Sequence, residues 1–445
     1  MKKYFLFIGA LFFAAFACAA DYSALSLETC SRDALNYSNN LKQLQKVAQA
    51  AQNKYESANA AYYPSLSFDA QGGWVSQVPS VSIGPESFTF GDKWSYSVGP
   101  AIEYILFDYK GRSGAAKSAQ SAYRAAQDDY DFAKKTLLLN VRQAYFTVQG
   151  DLENIYLSAG QLKVAQKQLA DIQAAFKAGA KSSLDVSMAL KQELRARVNI
   201  SIARGALGAH LRDLFKLTGS DYGINPLYPA DWRVIIDKED KPATARVKAD
   251  SIEDTLKKMA PFAAFKFDEN ISKLASLENL AQYYENLAQS LNSSLYPSLS
   301  VRGGAYWEYP NGPIRENIFL GRAAAAIHMP LFEGGKTRGQ VSAQKNMAAA
   351  TQYQKLDTKD NLQNIFDSSK NMLYALDAQA GLTKKMIETA QKAAALTYDA
   401  YKAGTVTFLE VDNANLALLE SRISLANIYI QTLNRLAVLD NLGRK

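Results

Sequence analysis

One stretch of this chain is written twice, and the copy dictates the architecture. Phe176 to Val186 reads FKAGAKSSLDV and Tyr401 to Val411 reads YKAGTVTFLEV, so that Gly179 and Gly404 stand 225 residues apart. The same offset relates Phe107 to Phe332, in ILFD and PLFE. Upstream, Tyr63-Pro64-Ser65-Leu66-Ser67 matches Tyr296-Pro297-Ser298-Leu299-Ser300 at an offset of 233, so the first copy carries about eight extra residues between the two markers. Solenoid repeats recur every 20–50 residues. A unit of this size means two copies of one larger structural unit. The expected division is a leader at 1–20, a first repeat at 21–219, an inter-repeat segment at 220–251 and a second repeat at 252–445.

Each copy has the same element order. A helical segment comes first, Ser26 to Ala61 and Ile252 to Leu295, the latter interrupted by Pro261. Two strand-like runs follow, then a helical stretch of about 70 residues (Tyr109 to Lys177, Gly334 to Lys402), roughly 105 Å at 1.5 Å per residue. After the KAG turn a further helix runs to Leu217 and Leu442. Two short helices end to end match one long one, which predicts paired helices with coiled-coil packing. Between the halves, Gly219 to Pro226 and Lys241-Pro242 break the helical pattern.

The strand runs alternate with period two. Trp94, Tyr96, Val98, Ile102 and Tyr104 share one face, with Ser95, Ser97, Gly99, Ala101 and Glu103 on the other. Leu66, Phe68 and Trp74 continue the apolar face, as do Val301, Ala305 and Trp307, then Ala323, Ala325 and Ile327. Runs of this length with aromatic ends fit transmembrane barrel strands. Four strands close no barrel, and an open edge in lipid leaves backbone groups unsatisfied. The chain must therefore pool strands with copies of itself, two giving eight strands and three giving twelve.

The N-terminus, MKKYFLFIGALFFAAFACAAD, has Lys2 and Lys3, a short apolar run and small residues, which is a secretory leader with cleavage expected after Ala20. Lipid attachment at Cys18 is the alternative. With two cysteines there is no disulfide framework. The net charge of +7 over 445 residues is modest and no basic cluster carries interleaved aromatics, which argues against a nucleic-acid partner. His210 and His328 have no second ligand at metal spacing, and no nucleophile–base pair, phosphate loop or CxxC occurs. No enzyme, cofactor or metal is expected.

Taken in order, the leader, the doubled helix–hairpin–helix unit, the YPSLS strand entry, the Pro330 to Gly335 exit (PLFEGG) and the two KAG turns resemble the TolC-like outer-membrane efflux proteins, over nearly the whole chain from Ser26 to Gly443. The resemblance implies a mostly α fold with β: two tandem repeats forming a long α-helical coiled-coil barrel, with a transmembrane β-barrel of four strands per protomer, twelve in a homotrimer. It implies a passive, gated exit duct in the outer membrane, extending into the periplasm. Its partners would be a periplasmic adaptor, an inner-membrane transporter and outer-membrane lipid. Type I protein secretion is an alternative within the same resemblance. A periplasmic coiled-coil scaffold and a general diffusion porin are alternatives outside it.

The resemblance also implies roles at the turns. Gly179 and Gly404 would sit at the helix-hairpin tips, where an adaptor makes contact. The simpler account of both is a left-handed glycine ending a helix. Glu410 matches a constriction acid. The family's next acid falls at Asn413, and Asp412 points about 100° away from it on a helix. Tyr401 and Asp185 match a tip-level hydrogen-bonded pair. Val406 stands where an arginine is common. The plainer account of Asp185 and Glu410 is that acids favour helix starts, with Ser182, Ser183 and Thr407 as caps.

Overall fold

The computed structural model describes residues 23–220 and 247–445. The expected leader, Cys18 and most of the inter-repeat segment lie outside the described residues. The first repeat contains β1 (Ser23–Leu25), α1 (Leu27–Tyr37), α2 (Asn39–Ala60), β2 (Ser65–Trp74), β3 (Ser80–Ile83), β4 (Glu86–Thr89), β5 (Trp94–Phe107), α3 (Gly111–Lys177) and α4 (Ser183–Thr218). After the inter-repeat segment come β6 (Val247–Ala249), α5 (Ile252–Met259), a 3-10 turn (Ala260–Ala264), β7 (Lys266–Phe267) and α6 (Ser272–Ser293). β8 (Ser298–Tyr309), β9 (Ile318–His328), α7 (Lys336–Lys402), α8 (Phe408–Leu442) and β10 (Gly443–Arg444) complete the chain.

The repeat is explicit in this order. The long helices α3 and α7 have 67 residues each, and both their first and last residues are 225 apart. Neither contains a proline, so the i→i−4 ladder runs unbroken. The leading helical segments are more divided than the sequence suggests. A single extended residue, Ser38, separates α1 from α2 (φ −52°, ψ 111°), and its amide still caps the carbonyl of Ala34 at 3.0 Å. In the second copy Pro261 starts the 3-10 turn, and the helix resumes only at Ser272. The extra residues of the first copy form the β3–β4 hairpin.

The chain forms two compact units. One comprises Asn39–Lys134 and Asp268–Asn364. It holds a four-stranded antiparallel sheet in the order β2-β5-β8-β9. Opposed pairs Ser65–Glu103, Glu103–Arg302 and Arg302–Ala324 fix the register across all four strands. This register puts Glu103, Arg302, Arg322 and Glu308 on one face. There Arg302 donates to Glu103 at 2.7 Å, Arg322 to Glu308 at 2.6 Å and Ser97 to Glu308 at 3.0 Å. The other face carries Leu66, Phe68, Trp74, Trp94, Trp307, Phe319 and Ile327, all more than half exposed in the protomer. The β5–β8 ladder skips Gly99 and Pro100: proline has no N–H to offer, and a Cβ at Gly99 would stand 2.0 Å from the Ala305 carbonyl oxygen.

Strand hands over to long helix through two successive left-handed residues in both copies. They are Tyr109 (φ 46°) and Lys110 (φ 72°) in the first, and Gly334 (φ 60°) and Gly335 (φ 85°) in the second, again offset by 225. Side chains with a Cβ resist this region by roughly 1–2 kcal/mol per residue. In the first copy the turn is held by Tyr109 stacked on Tyr296 (3.6 Å between ring centroids) and by Asp108, whose carboxylate accepts the Arg112 amide at 2.7 Å. Lys110→Gly is expected to stabilise the protein by about 1 kcal/mol, by relieving the strain without removing either contact. Denaturant titration of the purified protein in detergent checks this.

In the same unit α6 lies against the first part of α3. A Cβ at Gly114 would stand 2.7 Å from the Ser290 backbone nitrogen, so only glycine permits this approach. Asn279 donates to Asp128 at 2.8 Å and Lys273 to Asp129 at 3.0 Å along the contact.

The second unit comprises the described residues of Met1–Ser38, Lys135–Phe267 and Ile365–Lys445. Its main core gathers Val141, Tyr145, Phe146, Leu207, Leu211, Leu214, Leu433 and Leu436, with Cys30 and Ala34 from α1. Tyr145 joins this core to the parallel β1–β6 pair: its hydroxyl donates to the Leu25 carbonyl at 3.2 Å and accepts the Asp250 amide at 3.3 Å. Burial pushes the phenol up to about 12. A second, smaller core surrounds the turns that follow α3 and α7. Among the described residues no helix is long and apolar enough to cross a membrane.

Candidate functional site

The two KAG turns have one local design. Beyond Lys177 the Gly179 amide donates to the Phe176 carbonyl at 2.9 Å and the Ala180 amide to Ala175 at 2.9 Å. Beyond Lys402 the Gly404 amide donates to Tyr401 at 3.1 Å and the Thr405 amide to Ala400 at 3.0 Å. Gly179 has φ +74° and Gly404 φ +81°, and a Cβ at either would meet nothing within 4 Å. Backbone handedness, not lack of space, therefore calls for glycine at both.

The helices restart differently. Ser182 caps α4 in a reciprocal box with Asp185: the Asp185 amide donates to Ser182 Oγ at 3.2 Å, and the Ser182 amide donates to Asp185 Oδ2 at 3.0 Å. The Ser182 hydroxyl also donates to Asp185 Oδ2, at 2.7 Å. Thr407 at the start of α8 makes no such cap, and Glu410 stays exposed with only a 3.4 Å contact from the Thr407 hydroxyl.

Between the turns lies the small core of Ile172, Ala189, Tyr401, Phe408 and Val411, with Val406 packed against it. Tyr401 is 3% exposed and meets Phe408 edge to face at 5.3 Å. Its repeat counterpart Phe176 is 46% exposed, so the two copies use this position in opposite ways. The Tyr401 hydroxyl is buried and makes no hydrogen bond. It faces Asp185, whose carboxylate the Ser182 cap holds. Burial, then the Asp185 charge, push the Tyr401 phenol up to about 12. For Asp185 burial opposes ionisation, but the Ser182 hydroxyl and amide, the facing Tyr401 hydroxyl and the Lys181 ammonium outweigh it and hold the carboxyl below its ordinary value. The arrangement is therefore at full strength above the usual carboxylate range, about 3.9, and fades only as the pH falls below it toward the depressed value.

Three of the candidate residues separate by face. Glu410 and Asn413, one helical turn apart, are both exposed. Asp412 is buried and ion-paired with Arg195 of α4, so its charge braces the helix pair. Three polar ties that the sequence did not reveal hold the same region. The Tyr398 hydroxyl donates to Asp171 at 2.9 Å, Asn415 donates to Gln168 at 3.1 Å, and Lys181 donates to the Tyr401 carbonyl at 2.9 Å. The signal for Lys181 was present in the repeat alignment: Lys181 matches Val406, which breaks the charge symmetry of the two turns. Among the described residues no group of His, Cys, Asp or Glu is arranged to hold a metal ion, and His210 pairs with Asp151.

Long antiparallel helix pairs joined at glycine-ended tips, with a four-stranded sheet having one apolar and one charged face, define a class of outer-membrane channel protein. The sequence matches the outer membrane efflux protein family over residues 30–220 and 270–442, and the chain belongs to that family. It is a protein of the outer membrane, extending into the periplasm. It is 23% identical over 322 residues to outer membrane protein TolC of Escherichia coli K12, a match covering 71% of this chain and 62% of TolC. It is 22% identical over 433 residues to the cation efflux system protein CusC of Escherichia coli O157:H7, covering 94% and 85% of the two chains. The crystal structure of VceC from Vibrio cholerae superposes with a TM-score of 0.73 at 16% identity, over 94% of this chain and 96% of VceC.

Proposed function

We propose that the chain is the outer-membrane duct of a tripartite efflux pump: a homotrimer that passively conducts small molecules such as drugs out of the cell. The observation that carries this is the sheet. Among the described residues both edge strands, β2 and β9, lack a partner on one side, and the apolar face exposes Trp74, Trp94, Trp307 and Phe319. In lipid such a sheet is stable only when its edges pair. A second copy offers an edge of nearly matching length, 11 residues in β9 against 10 in β2, and three copies make a twelve-stranded barrel with the Glu103, Arg302, Arg322 and Glu308 face inward. The helices support the same assembly. Leu190, Leu194, Val198 and Ile202 of α4, at four-residue spacing, are 44–66% exposed in the protomer and form an unpartnered apolar stripe.

In this arrangement the paired turns lie at the periplasmic mouth. Asp185, Tyr401, Glu410, Asp412 and Asn413 belong to the gate, Asp412 by bracing it from behind. The turns ending at Gly179 and Gly404 face a periplasmic adaptor, which links the duct to an inner-membrane transporter that supplies the energy. The test is extraction from outer membranes followed by planar-bilayer recording. The expected outcome is a heat-resistant trimer with a small resting conductance. A monomer released without detergent would overturn the reading, as would a large, constantly open pore, which belongs to a diffusion porin.

A further inference from the structure

The two turns differ in charge at one matched position, Lys181 against Val406. The Lys181 ammonium sits 3.8 Å from the centre of the Tyr401 ring and donates to the carbonyl of that same residue at 2.9 Å. That carbonyl belongs to the last turn of α7, where it also accepts the Gly404 amide at 3.1 Å and where a cation is favoured. One side chain from the first turn thus grips the second hairpin three ways, through ring, carbonyl and helix dipole. Asp185, held in place by Ser182, faces the same tyrosine from the next turn of chain.

Among the described residues no cation of the second turn reaches the first in the same way. Val406, at the matching place in the second turn, is apolar and packs into the small core, and Phe176, the counterpart of Tyr401, is half exposed. We propose that Lys181 is a latch that holds the α7–α8 tip against the α3–α4 tip, adding to the Tyr398–Asp171, Asn415–Gln168 and Asp412–Arg195 ties a contact made by the turn itself to Tyr401. The proposal rests on the gate reading above and assigns a closing contact to an asymmetric residue. Lys181 is a positioning residue: it acts by placing Tyr401 and its helix end.

The test is single-channel recording on the full trimer carrying Lys181→Met, which keeps the length of the side chain and removes the charge. The fraction of time spent open is expected to rise about tenfold, the equivalent of about 1.4 kcal/mol. Lys181→Arg should stay near wild type, since it keeps the cation over the ring. Lys181→Met combined with Val406→Arg should recover closure, because Val406 packs in the same core as Tyr401 and can return a cation from the opposite turn. Heat resistance of the trimer, measured in parallel, should be unchanged by Lys181→Met. If Lys181→Met stays closed while Asp185→Asn or Tyr401→Ala opens the channel, the latch is wrong and the gate reading survives. If all three variants stay closed, both fall.

Discussion

Tyr401→Ala is expected to leave the channel open for most of the recording time, whereas Tyr401→Phe stays close to wild type. The contrast follows from how Tyr401 is held. Its ring is 3% exposed, packs on Phe408 and lies under Lys181, while its hydroxyl makes no hydrogen bond. Removing a buried aromatic side chain typically costs about 3–5 kcal/mol. A loss of that size, spent at the tip, multiplies the open population by more than about a hundredfold. Phenylalanine keeps the ring, the edge-to-face contact and the cation above it, and removes only a buried polar atom that nothing satisfies. Such a removal is nearly neutral or slightly stabilising. Bilayer recording on both variants decides the matter. If Tyr401→Phe opens the channel as far as Tyr401→Ala, a hydroxyl–carboxylate bond to Asp185 is the working contact.

The second large effect is on assembly. Leu194→Asp together with Ile202→Asp should abolish the heat-resistant trimer while the protomer retains its helical circular dichroism. In the protomer both side chains are more than half exposed, at 51% and 66%, so neither substitution opens a cavity or buries a charge within a single chain. In the proposed trimer the same positions would be covered, and each copy would bury two added carboxylates. Burying an unpaired charge costs several kcal/mol, and a closed three-fold ring repeats that cost at every interface. Gel mobility of unheated membranes reads the result directly. A trimer that survives the double substitution would mean that the stripe faces solvent in the working protein.

The larger features of the fold were legible because they follow from long-range regularities. Period-two alternation fixed which strand residues share a face, and the observed register pairs Glu103 with Arg302 and Val98 with Trp307 on the expected sides. The 225-residue offset fixed where the long helices end. The break at Ser38 was not legible, because no proline or glycine stands there to announce it. At the tips the sequence located the residues but not their contacts. Asp185 accepts from Ser182, three residues away, a short-range cap that its place in the repeat did not announce. The charge asymmetry at Lys181 is written in the repeat, but its contact is not. Lysine in a polar turn is ordinarily solvated, and only the three-dimensional juxtaposition of two turns far apart in sequence shows what its ammonium meets.

The equal lengths of α3 and α7 have a consequence for how such a chain can change. Lys181 and Tyr401 meet just beyond and at the ends of two helices of 67 residues each, so each length is a ruler for the other. Deleting one residue from either would shift its tip by about 1.5 Å and rotate it by about 100°, enough to carry Lys181 off the ring. Matched deletions in both would shorten the two helices equally while keeping their ends in register. The length of these helices can therefore be edited only in duplicate, with the two halves kept at a common count.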